Sequence, residues 1–220
     1  MKSKLLINNH SDNLVIFASG WGCDDIQFQD MNSSSDVLLL WDYQSFDFDF
    51  DFSPYRTFDL LSYSAGVFVA GIIESRLPAL RRKVAINGNP ELIDEQYGLS
   101  RKIRRVFREI NETNYMDFRR VYLSFRDTDL EILNKHSSMR TIESCNSELD
   151  YLEKVAATGT YPRMTYGRVF LSADDKIFNH AAQLDYYYAR DTEVFVVKSA
   201  NHNIFYSRYC NFDDFFLNMD

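Results

Sequence analysis

The stretch Leu60-Leu61-Ser62-Tyr63-Ser64-Ala65-Gly66-Val67 carries the residue types of a nucleophile set on a turn. An apolar run from Phe58 to Leu61 meets Ser-Tyr-Ser-Ala-Gly, and a small-residue segment suited to a helix follows. A sharp strand-to-helix turn of this kind lifts a serine Oγ above the carboxyl end of a parallel sheet, and its usual form is G-x-S-x-G. Here Ser62 stands at the first glycine, where strand and helix pass closely and only a small side chain fits. On this reading Ser64 is the nucleophile, and a Ser-rich turn that merely caps a helix is the plainer alternative. The chemistry would be acyl transfer. It further needs a base, an acid that orients the base, and N–H donors aimed at the developing oxyanion.

In a chain built this way the order is serine, then acid, then histidine. Of His10, His136, His180 and His202, only His202 follows the last predicted strand, in a loop returning over the sheet. The acid belongs after the preceding strand, where Ser172-Ala173-Asp174-Asp175-Lys176-Ile177-Phe178 offers two aspartates. The Asp-x-Ile spacing favours Asp175, because an apolar anchor two residues on lets its carboxylate face inward; Asp174 is the rival. One oxyanion donor is the backbone N–H of Ala65, just past the nucleophile at a helix N-terminus. The second is the N–H of Trp21 in Ser19-Gly20-Trp21-Gly22-Cys23, where flanking glycines let the backbone approach a ligand. Cys23 has no base placed for it and reads as a small core thiol.

Short continuous apolar runs position these groups. Residues 14–18, 37–41, 83–87, 168–171 and 193–197 have the pattern of strands buried on both faces of a parallel sheet. Helical segments are expected over 65–76, 181–189 and near 205–216, and residues 4–8 could add an edge strand. The alternation predicts a doubly wound α/β sheet in one domain. It stops between about 91 and 165, where charged helical segments (100–110, 115–124, 128–135, 146–157) read as one inserted cap over the carboxyl end of the sheet. Asn87-Gly88-Asn89-Pro90 opens that insertion and Thr158-Gly159-Thr160-Tyr161-Pro162 closes it.

The strict alternation Phe46-Asp47-Phe48-Asp49-Phe50-Asp51-Phe52 would, if extended, separate an apolar face from an acidic one. The glycine and glutamate of a calcium loop are missing, so packing is favoured over metal binding.

The 220 residues carry a net charge of -8, which argues against nucleic acid as a partner. The charge is uneven: residues 76–120 hold eleven Lys/Arg against six Asp/Glu. No apolar stretch approaches membrane-spanning length, and the apolar run near the N-terminus is too short for a signal peptide. Cys23, Cys145 and Cys210 form no C-x-x-C pair, so reduced thiols in a cytoplasm are expected, without a zinc site.

Taken in order, several segments resemble those of the BioG-type pimeloyl-[acyl-carrier protein] methyl ester esterases. They are Ala18-Ser19-Gly20-Trp21-Gly22, Trp41-Asp42-Tyr43, Ser62-Tyr63-Ser64-Ala65-Gly66-Val67 and Ile86-Asn87-Gly88-Asn89-Pro90 with Ile93-Asp94 and Gly98. Asp175-Lys176-Ile177-Phe178 and His202-Asn203-Ile204-Phe205 complete the set, which spans nearly the whole chain. The resemblance implies an α/β-hydrolase fold and hydrolysis of a methyl ester on a pimeloyl group borne by acyl carrier protein, in making the precursor of biotin. It implies Ser64 as nucleophile, Asp175 as acid, His202 as base, and Trp21 and Ala65 as oxyanion donors, with no cofactor. It also suggests a use for the basic cap. Carrier proteins are acidic, and Arg101, Arg104, Arg105 and Arg108 recur at helical spacing, so at least three could share a face that docks the carrier.

Overall fold

The computed structural model describes residues 1–159 and 164–219. Its apolar runs become a seven-stranded sheet in the order β1-β3-β2-β4-β5-β6-β7. The six strands β2 (Asn13–Ala18), β3 (Asp36–Trp41), β4 (Thr57–Tyr63), β5 (Arg82–Ile86), β6 (Arg168–Ser172) and β7 (Glu193–Val197) run parallel. The edge strand β1 (Lys2–Ile7) pairs antiparallel with β3. Every residue of β3 is buried, as expected of a strand covered on both faces. Alternate residues feed two cores. Leu14, Ile16, Leu38, Leu40 and Leu60 pack on the side of α1 (Ala65–Ile72). Val15, Phe17, Val37 and Leu39 pack against Phe205, Phe212 and Phe215 from the C-terminal segment.

Four helices lie between β5 and β6 among the described residues: α2 (Arg101–Arg108), α3 (Tyr115–Phe118), α4 (Asp127–Lys135) and α5 (Ile142–Ala156). A π-helical turn, Arg119–Leu123, continues α3. Of the loop expected to close this insertion, Thr160-Tyr161-Pro162 lie outside the described residues. The helix α6 (His180–Tyr188) sits between β6 and β7, and the Asn179 side chain caps it by accepting the Ala182 N–H. No helix among the described residues is long and apolar enough to cross a membrane.

Two expectations are corrected. The helix expected over 65–76 stops at Ile72, and a 3-10 turn, Glu74–Arg76, follows. The helix expected near 205–216 is an irregular wrap ending in a 3-10 turn at Phe212–Phe216. There Tyr206 takes a positive φ of 60° and Asn211 bridges to Asn32, so buried aromatics pin a loop whose spacing only resembles a helical stripe. Residues 45–52 form no strand, yet the alternation keeps its meaning. Phe46, Phe48, Phe50 and Phe52 pack half-buried on the core while the Asp47 side chain is 93% exposed.

Asp59, in the middle of β4, is fully buried and accepts paired bonds from Arg81 (3.1 and 2.5 Å) and Arg82 (3.0 and 2.7 Å). Burial alone would raise this carboxyl, but the Arg82 and Arg81 bonds outweigh it and hold it below its ordinary value of 3.8. A carboxyl depressed on folding adds stability above its unfolded pKa and loses it as pH falls through the folded one. Asp59→Asn is therefore expected to lower the unfolding free energy by about 3 kcal/mol in urea at pH 7. The gap from the native protein should narrow below pH 3.8. A gap that stays constant with pH would refute the ion-pair account.

Candidate active site

Ser64 follows β4 directly and is the N-cap of α1, with φ 56° and ψ -122°. A non-glycine residue rarely takes a positive φ, and here the surroundings over-determine it. Its N–H donates to Ile86 O at 2.9 Å and its carbonyl accepts the Val67 N–H at 3.0 Å, so β5 and α1 grip it from both sides. Small residues let the backbones close in. A Cβ on Gly66 would lie 2.1 Å from Ala18 O, and one on Gly88 2.4 Å from Ser64 O. Ser62 is fully buried, its Oγ 3.3 Å from the Tyr166 hydroxyl, which leaves no room for a larger side chain.

Two loops bring the other candidates to Ser64. His202 Nε2 lies 2.9 Å from Ser64 Oγ, and His202 Nδ1 lies 2.9 Å from Asp175 Oδ2. An ionised carboxylate only accepts, so Nδ1–H donates to Asp175 and Nε2 is left to accept the serine proton. The second Asp175 oxygen accepts the N–H groups of Ile177 (2.8 Å) and Phe178 (3.2 Å). That is the physical content of the Asp-x-Ile spacing: the loop turns back on one carboxylate oxygen and aims the other at the imidazole. The side chains of His202 and Asp175 are 3% and 4% exposed. Asp174 faces solvent, and its N–H donates to Ala200 O.

Asn87 is a residue whose task the sequence did not reveal. Buried, with φ 44°, it donates to the His202 carbonyl (2.7 Å) and to Ser172 Oγ (2.8 Å), and accepts the Ser172 N–H (2.7 Å). It joins the ends of β5 and β6 to the histidine loop. The sequence signal was the Asn-Gly pair itself: a side chain that tolerates positive φ, then a residue without Cβ against Ser64.

The N–H groups of Ala65, at the first position of α1, and of Trp21 donate to no protein acceptor among the described residues. Both residues line a cleft of about 600 Å³ that contains Ser64 and His202. Its walls are largely apolar and come mostly from the segment between β5 and β6, with Leu99, Phe107, Phe118, Leu123 and Ile142 prominent. The Trp21 ring stacks on Phe107 with centroids 4.5 Å apart, and its Nε1–H donates to Cys145 O at 2.7 Å. Glu148 of α5 holds the same loop. Fully buried, it accepts the Gly22 N–H (3.0 Å), the Tyr43 N–H (2.9 Å) and Arg140 (2.5 Å), while Arg140 also reaches Asp42 at 2.8 Å. Sequence reading missed this ion-pair network, since nothing in residues 140–148 distinguishes a buried acid on an otherwise charged helix. Cys145 lines the cleft, but burial pushes its thiol up to about 11; burial raises Cys23 further still. Neither is a ready thiolate at neutral pH.

The cap arginines divide into two pairs. Arg104 and Arg108 turn toward Glu95, Glu153 and Asp150, at 24% and 34% exposure. Arg101 and Arg105, one turn apart, are 88% and 77% exposed, with loose contacts to Glu95 (3.7 Å) and Glu109 (3.5 Å).

The family model described as pimeloyl-ACP methyl esterase BioG matches residues 1–215, and the chain belongs to that family. A malonyl-[acyl-carrier protein] O-methyltransferase of Bacteroides fragilis (strain 638R) is 33% identical over 111 residues. That match takes in 48% of this chain but spans only 22% of the methyltransferase. The crystal structure of BioG from Haemophilus influenzae superposes with a TM-score of 0.85 at 24% identity, covering 98% of this chain and 99% of that one. A structure from a study of carboxylesterases of Nitrososphaera gargenis gives a TM-score of 0.56 at 10% identity, covering 91% and 86%. The fold is that of an α/β-hydrolase, and the family is one of hydrolases.

The buried Arg140–Glu148 pair makes a thermodynamic prediction. Glu148→Gln removes one of the two carboxylates that hold Arg140, leaving it Asp42 alone, and is expected to cost about 3 kcal/mol of stability. The double variant Arg140→Met/Glu148→Gln should be less destabilised than the sum of the two single changes, by about 1–3 kcal/mol in a double-mutant cycle. Strict additivity in urea denaturation would show that the two charges do not support each other.

Proposed function

We propose that this BioG-family chain is a serine carboxylesterase that removes the methyl group from pimeloyl-[acyl-carrier protein] methyl ester. The observation that carries the reading is the unbroken relay from Asp175 through His202 to Ser64, 2.9 Å at each step, opening on an apolar cleft. His202 Nε2 takes the Ser64 proton as Oγ attacks the ester carbonyl. The N–H groups of Ala65 and Trp21 receive the oxyanion, and Asp175 steadies the imidazolium. Collapse of the tetrahedral adduct breaks the bond to the methoxy group, which leaves as methanol with the proton from His202. Water, deprotonated by His202, then attacks the acyl-enzyme, and Ser64 regains its proton as the free carboxylate departs.

The substrate also contains a thioester, so selectivity has to come from placement. A carrier docked outside the cleft, its arm threaded inward, would present the distal ester to Ser64 and leave the thioester short of it. Arg101 and Arg105 are the cap cations best exposed for such docking, and they would act mainly by steering an acidic partner. The three free cysteines fit a reducing cytoplasm.

Methanol release from the carrier-bound methyl ester tests the reading, and Ser64→Ala is expected to reduce it at least ~1,000-fold. No turnover by the native protein would sink the substrate assignment, and an active Ser64→Ala would sink the nucleophile. For docking, Arg101→Glu/Arg105→Glu should raise KM for the carrier substrate roughly tenfold more than for p-nitrophenyl butyrate, with the difference fading in high salt. Equal effects on both esters would remove these arginines from docking.

A further inference from the structure

Asn201, immediately before His202, is 2% exposed and meets three separate parts of the molecule. Its Oδ1 accepts the N–H of His202 at 2.9 Å and the N–H of Lys176, next to Asp175, at 3.2 Å. Its Nδ2 donates to the carbonyls of Val121 at 2.8 Å and Ser124 at 3.0 Å. A primary amide offers two acceptor lone pairs and two donor hydrogens, and all four are used. Because N–H donors lie on one side and carbonyls on the other, the orientation of the amide is fixed by its partners.

The carbonyl side belongs to the cap. Val121 lies inside the π-helical turn Arg119–Leu123, and Ser124 ends it. A π-turn departs from the regular helical ladder, a local distortion often found at functional sites. On the other flank of His202, the Asn203 N–H donates to Leu123 O at 3.3 Å. The residues on both sides of the histidine therefore hold the same turn of the cap. That turn contributes Leu123 to the cleft wall, and the adjoining α3 contributes Phe118.

We infer that Asn201 is a positioning residue with two separable tasks. Its carbonyl oxygen ties the histidine loop to the acid loop, setting the backbone from which His202 and Asp175 meet. Its amide nitrogen seats the π-turn of the cap over the cleft. The inference rests on reading Ser64, His202 and Asp175 as the reacting set. It makes closure of the binding cleft and alignment of the base consequences of one side chain.

Two substitutions separate the tasks. Asn201→Asp keeps an oxygen toward the two loop N–H groups but turns a second oxygen against the Val121 and Ser124 carbonyls. Asn201→Ala removes both sets of bonds. With p-nitrophenyl butyrate as substrate, Asn201→Asp is expected to raise KM roughly tenfold while kcat falls less than about threefold, because cap walls bind the acyl chain. Asn201→Ala should lower kcat by a further factor of roughly ten or more, since misplacing a general base by a fraction of an ångström is costly. Native-like near-ultraviolet circular dichroism establishes that each variant is folded; should Asn201→Ala not fold, the KM-against-kcat split in Asn201→Asp carries the test alone. A fall in kcat at unchanged KM in Asn201→Asp, or kcat in a folded Asn201→Ala equal to that of Asn201→Asp, overturns the inference. Native protein that fails to hydrolyse the ester, or Ser64→Ala that still does, overturns instead the reading on which it rests, and the inference with it.

Discussion

The close approach of backbones around Ser64 is the constraint on which the other features depend. A serine at φ 56° between β4 and α1 is tolerable only because its N–H is bonded to β5 and its carbonyl to the first turn of α1. That geometry requires α1 to pass β2 without a Cβ at Gly66, and the chain after β5 to pass Ser64 without one at Gly88. Parallel register then stacks Ala18, Ser62 and Ala85 across three neighbouring strands, small residues at the level where helix meets sheet. A one-residue slip of β4 would put Leu61 or Tyr63 at the level that Ser62 now holds.

Everything that could do chemistry hangs from that frame at the carboxyl ends of the parallel strands. Loops there are exposed to thermal motion unless tied down, and here the ties are polar and buried. Asn87 holds the His202 carbonyl from below, Asn201 holds its N–H from the side, and Glu148 holds the Trp21–Gly22 loop from the cap. Buried polar groups are costly when unpaired and directional when paired, so each network fixes a geometry that apolar packing alone would leave loose. The cap is thus bonded to the loops that carry Trp21 and His202 while still furnishing an apolar wall for the cleft.

The electrostatics of the surface are less simple than the charge count of residues 76–120 suggests. Much of that positive charge is spent inside the protein: Arg81 and Arg82 on Asp59, Arg104 and Arg108 on cap acids. A sequence lists charges but not their partners, and ion pairs such as Arg108–Glu153, 45 residues apart, form only on folding. Free cations for an acidic partner are accordingly fewer than the cluster of arginines implies.

The sequence by itself determined the parallel sheet, the elbow at Ser64, and the order in which an acid loop and a histidine loop follow. Local rules govern those features: buried strands read as continuous apolar runs, and a tight turn demands small residues at fixed offsets. The Asp-x-Ile spacing that favoured Asp175 over Asp174 has a local counterpart: the Ile177 N–H holds Asp175 Oδ1, and Oδ2 lies 2.9 Å from His202 Nδ1. Helix ends were legible only roughly, and the C-terminal aromatics were misread because anchoring rings in a loop mimic a helical stripe. Tertiary structure alone decided what Asn87, Glu148 and Asn201 do. The long-range bonds among these join segments from 25 to 126 residues apart, and an amide or carboxylate carries no sequence mark of the partner it will meet once water is excluded.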